Sequence, residues 1–89
     1  MNIKQARQLA QETTAPDKLR ELATHDDYLT RQYVAANPNT PTETLLNIGA
    51  EFPRELLDNP IFDLLLLENL NLIFDIPITT LRSLIKQFN

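Results

Sequence analysis

The chain contains no cysteine. That excludes disulfides, iron–sulfur clusters, thiolate-bound zinc and cysteine nucleophiles, and it suits a reducing cytoplasm. Glycine occurs once, so no Gly-rich loop can cradle a phosphate. Basic residues are outnumbered, with 8 Lys and Arg against 12 Asp and Glu and a formal charge of −4. That balance opposes nucleic-acid binding, which needs a basic surface. His25 is the only histidine. With Asp26 and Asp27 beside it, it falls short of the three or four ligands of a metal site and reads as a solvated turn residue. Ser83 has no matching base. Glu51, Glu55 and Asp58 read as a solvated acidic face, because paired carboxylates need a desolvated cleft to act as acid and base. The first residues, Met1 to Arg7, form no apolar leader. The most apolar stretch, Ile61 to Phe74, is interrupted by Asp63, Glu68, Asn69 and Asn71. A membrane span needs about 20 nearly uncharged residues. No enzyme activity, cofactor, metal or membrane contact is therefore expected.

What the chain has is punctuation. Six prolines divide it into short segments. In Asn37-Pro38-Asn39-Thr40-Pro41-Thr42-Glu43, Asn tolerates the left-handed conformation that ends a helix, and the following Pro cannot extend one. Thr40 suits the next N-cap, Pro41 the first helical position, and Glu43 completes a capping box with Thr40.

These signals repeat. Thr14, Asp17, Leu19, Leu22 and Ala23 correspond to Thr40, Glu43, Leu45, Ile48 and Gly49, each pair 26 residues apart. Pro77 to Leu84 is a weaker third copy. The stop recurs at Asn37-Pro38, Asn59-Pro60 and Asn69-Leu70, spaced by 22 and then 10 residues. Self-similarity at about 20–50 residues predicts a solenoid, and decay toward one end suits a terminal unit that covers the last apolar face. The segment Thr30 to Gly49 resembles the leucine-rich repeat variant family, whose pattern runs V-R-x-x-V-A-x-N-P-x-T-P-x-x-x-L-x-x-L-A. Here Thr30 stands where the family prefers Val, and Gly49 where it prefers Ala. The good match runs from Thr14 to Ala50. The resemblance implies a right-handed superhelix of alternating α- and 3₁₀-helices and carries little biochemical information. The iron–sulfur cluster of the best-known member has no ligands in a chain without cysteine.

The expected fold is an all-α, short-helix solenoid in one domain, residues 1–89, with the clearest repeats at 14–60 and a degenerate terminal unit at 61–89. Helices are expected at 3–11, 16–23, 26 or 27 to 36, 41–50, 53–58, 61–68 and 77–88, with a 3₁₀ turn at 72–74. On the first, Ile3, Ala6, Leu9 and Ala10 should share one side. On the last, Leu81, Leu84, Ile85 and Phe88 should face inward, and Arg82, Ser83, Lys86 and Gln87 outward. Asp27 and Arg31 should pair along one helix. Four consecutive leucines, Leu64 to Leu67, point all around a helix. The simpler reading buries that helix as a middle layer under the last one, with Leu64 as deep in the core as Leu45. The sharper reading leaves part of its face open to a partner or a second copy. Gly49 should let neighbouring helices approach closely. Tyr28, Arg31 and Gln32 form a candidate recognition patch, since aromatics with polar tips favour interfaces; alternatively Tyr33 is core and Tyr28 shields it. The expected function is protein–protein interaction by a cytoplasmic module, with an unidentified protein partner or a homodimer through the apolar C-terminal layer. A small-ligand-binding or nucleic-acid-binding helical repeat is the alternative.

Overall fold

The chain folds into short helices of six to ten residues, and the computed structural model describes residues 2–88. Seven α-helices follow in order: α1 Ile3–Glu12, α2 Pro16–Leu22, α3 Tyr28–Ala36, α4 Thr42–Ile48, α5 Pro53–Asp58, α6 Pro60–Glu68 and α7 Ile78–Lys86. A 3₁₀ segment, Leu70–Asp75, joins α6 to α7. The all-α expectation holds, and no strand occurs among the described residues. 3₁₀ geometry is confined to that one connection; the intervening units α2 and α4 are short α-helices.

The helix starts are local chemistry. Asn2 and Gln5 form a reciprocal capping box on α1. The Asp27 carboxylate accepts the Thr30 N–H at the start of α3. Pro16, Pro53 and Pro60 occupy first turns, where a missing N–H costs nothing.

Packing follows chain order. α1 packs on α3, α3 on α5 and α5 on α7, while α2 touches α1 and α3. The result is a flattened body of 37 × 27 × 17 Å. Two apolar clusters fill it. The first joins Ala6, Ala10, Leu19, Leu22, Val34, Ala35, Ile48 and Phe52. The second joins Leu45, Leu46, Leu56, Phe62, Leu72, Ile76 and Leu84. Helix α4 supplies residues to both, and Leu56 of α5 in the second follows closely on Phe52 of the first, so the clusters share a wall. Gly49 sits in that wall: a Cβ there would lie 2.5 Å from Leu56 Cδ2 and 3.0 Å from Thr80 Cγ2. Its φ of −61° is ordinary, so the need is for space and not for backbone freedom.

Several local expectations are corrected. Thr40 does not cap α4. Its buried hydroxyl donates to the Val34 carbonyl at 2.6 Å, and Pro41 takes the N-cap position. Glu43 instead accepts from Arg20 of α2. Asn37 ends α3 in extended geometry, φ −79° and ψ 121°, not left-handed. Ile3 is more than half exposed rather than packed with Ala6 and Ala10. Ile85 and Phe88 lie exposed, and Ser83 turns inward to donate to the Ala50 carbonyl. The expected Asp27–Arg31 pair is absent: Asp27 is held by Arg7, and Arg31 by Glu51.

Candidate functional site

Asn37 and Asn59 show what the repeated stop does. The Asn37 amide donates to the carbonyls of Ala10 and Thr13 at the end of α1, and its oxygen accepts the Asn39 N–H. The Asn59 amide donates to the carbonyls of Ala35 and Asn37, and its oxygen accepts the Ile61 N–H. Each asparagine thus satisfies the orphan carbonyls of the preceding unit while starting its own turn. Both side chains are buried. Asn69 stands at the third stop, but it is exposed and its oxygen accepts only from Asn71.

Arginines form a second set of ties between helices. Arg7 grips Asp27 through two bonds of 2.8 and 2.9 Å. Arg31 grips Glu51 through bonds of 2.9 and 3.0 Å and also donates to the carbonyls of His25 and Asp26. Hydrogen bonding from Arg7 holds the Asp27 carboxyl far below the usual carboxylate range, with Thr30 assisting. Hydrogen bonding from Arg31 lowers Glu51 in the same sense. Catalytic carboxylates are tuned toward neutrality; these two are shifted away from it and already occupied. His25 accepts the Asp27 N–H through Nδ1, a turn contact.

Tyr28, Arg31 and Gln32 lie together on α3 but are engaged within the fold. The Tyr28 ring, half exposed, packs edge-on against Phe52 at 5.0 Å, with the Arg31 guanidinium 5.9 Å above it. Gln32 donates to Glu55 at 3.1 Å. Tyr33 is half-buried against the first cluster. Surface concavities are shallow. One of about 380 Å³ lies beside Arg20, Thr24, Asn47 and Glu51, and another of about 390 Å³ lies between α4 and Asp75. Among the described residues no group of three or more His, Asp or Glu could hold a metal, and no helix is long and apolar enough to cross a membrane.

The prominent unsatisfied feature is the C-terminal end. Leu64 and Leu67 on α6 are 52% and 78% exposed, and Leu70, Ile73 and Phe74 on the adjoining 3₁₀ segment are 76%, 51% and 84% exposed. Ile78 and Ile85 on α7, seven residues apart, and Phe88 in the turn just after it are also more than half exposed. The burial of α6 as a covered middle layer is therefore corrected. Phe62 is its one buried residue, and α7 packs on α4 and α5 instead of capping α6. Periodicity could not reveal this, because four successive leucines present an apolar surface in every direction. Set against known proteins, no family model matches the chain, and no curated protein or solved structure does either.

Proposed function

We propose that this chain is a non-catalytic protein-interaction module, a short helical-repeat body similar to leucine-rich repeat variant proteins, that docks through its C-terminal apolar face. One observation carries the reading: eight large apolar side chains, from Leu64 to Phe88, stand more than half exposed on the last three elements and the turn that follows them. Large exposed apolar side chains in this number on a small chain are costly in water and mark binding surfaces. The matching hydrogen-bond pattern of Asn37 and Asn59 supports the repeat reading. The Tyr28, Arg31 and Gln32 face is the weaker candidate, because Arg31 and Gln32 already serve neighbouring units. A nucleic-acid role is opposed by the formal charge of −4, and carboxylates hold Arg7, Arg20 and Arg31. The absence of cysteine accords with work in a reducing cytoplasm.

The test is a pull-down from a cell extract with the wild-type chain and with Leu67→Asp/Phe74→Asp, after circular dichroism has matched their helix content. Proteins retained by the first and lost with the second support the reading. Equal retention of every protein by both overturns it.

A further inference from the structure

The C-terminal face is divided by charge. From Pro60 to Ile76, α6 and the 3₁₀ segment carry Asp63, Glu68 and Asp75 and no basic residue. From Pro77 onward, α7 carries Arg82 and Lys86 and no acidic residue. All five ion pairs among the described residues lie between Arg7 and Glu51. The charges of the C-terminal end thus have no ion-pair partner within the described residues, and along the chain they alternate with the exposed apolar side chains.

Resting on the proposed docking role of this face, we propose that its occupant is a second copy of the chain, related by a two-fold axis. In that arrangement the α6 and 3₁₀ side of each copy meets α7 of the other. A two-fold interface applies one patch to itself, so a patch with one acidic and one basic half is self-complementary: each acidic half meets a basic half, twice. A uniform charge would repel a copy of itself. The area is sufficient. A Phe side chain carries roughly 150–250 Å², so Phe74, Phe88 and six branched aliphatics at these exposures hold on the order of 1,000 Å². A standard interface takes about 800 Å² from each partner. The apolar side chains would supply the affinity, and the charges would supply register and salt dependence.

Light scattering of the wild-type chain across a concentration series decides first. Twice the monomer mass, dissociating on dilution, is expected. A constant monomer overturns the proposal, and so does a mass that climbs without limit, which signals a head-to-tail contact. Two charge-reversed chains then test the arrangement: Asp63→Lys/Glu68→Lys/Asp75→Lys, and Arg82→Glu/Lys86→Glu. Each alone should dimerise roughly tenfold or more weakly at low salt, and an equimolar mixture should recover the dimer mass. A dimer indifferent to both reversals, or a mixture that stays monomeric while each variant keeps its helix content, overturns it. A monomeric wild type whose extract partners still depend on Leu67 and Phe74 would remove the second copy and leave the docking role standing.

Discussion

At the scale of single residues, the decisive side chains are those that reach between units. Asn59 places two amide donors on buried carbonyls and one oxygen on a turn N–H. Truncation strands those groups, and a buried unsatisfied group costs about 1–3 kcal/mol. Asn59→Ala should therefore lose about 2–4 kcal/mol in chemical denaturation, while Asn69→Ala, at the exposed third stop, should lose under about 1 kcal/mol. Equal losses would show that the inter-unit bonds do not govern the effect. Asp27 makes a second case. Its carboxyl, ordinarily near 3.8, is lowered in the folded chain by Arg7, and Glu51, ordinarily near 4.5, is lowered by Arg31. The unfolded chain thus binds protons that the folded chain does not. The stabilisation is whole above the ordinary carboxylate values and is lost as pH falls through them toward the lower folded values. The melting temperature should decline steadily from about pH 5 to about pH 2. Asp27→Asn keeps a capping oxygen but loses the charge, so its decline should be shallower and its neutral-pH midpoint lower. A parallel decline would rule out Asp27 as the titrating group.

At the scale of elements, starts and stops were legible in the sequence, while directions were not. Pro16, Pro53 and the Asp27 cap put helix boundaries within a residue or two of where they lie, because each acts on its own backbone. Thr40 and Arg31 read as making contacts within their own helices, and Asn37 as a purely local stop, whereas Thr40 bonds back to Val34 of α3, Asn37 reaches the end of α1, and Arg31 reaches Glu51. A capping box and a helical ion pair are nearest-neighbour inferences, and in a packed helical body a carbonyl or carboxylate from a neighbouring element competes for the same group. The leucines of α6 failed for another reason. Depth depends on which helix comes to lie over them, and no spacing within α6 encodes that. The candidate patch was half legible: its residues do share a face, but the ties to Glu51 and Glu55 lie 20 and 23 residues away. A paired substitution tests the corrected depth. Leu45, fully buried, should cost about 2–5 kcal/mol as Leu45→Ala. Leu64→Ala should cost under about 1 kcal/mol when measured on the monomer, since half of that side chain already meets solvent. Gly49→Ala should be destabilising by about 1–3 kcal/mol despite the better helix former, because the added methyl meets Leu56 and Thr80. If Gly49→Ala raises the midpoint, the close approach is not as tight as 2.5 Å implies.

At the scale of the whole molecule, order should fall off toward the C-terminal end. The first cluster is closed by α1, α2 and α3, with Ile48 and Phe52 completing it. The second is walled on one side by α4 and α5 but bounded on the other by α6 and the 3₁₀ segment, which bury only Phe62 and Leu72. Elements with few buried apolar contacts open locally at low free energy, before the body unfolds. α4 belongs to both clusters, and Phe52 of the first leads directly into α5, which carries Leu56 of the second, so opening of α6 need not disturb α1 to α3, whereas loss of the wall formed by α4 and α5 should bring both down together. Backbone hydrogen exchange followed by mass spectrometry should therefore show the slowest exchange in α3 and α5. In dilute monomer the fastest should be in α6 and 66–76. Covering the apolar face must change this gradient, because the amides that open most readily carry the exposed leucines. Raising the concentration into the dimeric range should slow exchange in α6, the 3₁₀ segment and α7 and leave α1 and α2 unchanged. Protection that rises instead around Tyr28 and Arg31 would move the contact to the α3 face. Exchange that is uniform along the chain would show that the two clusters unfold as one unit with no weaker end.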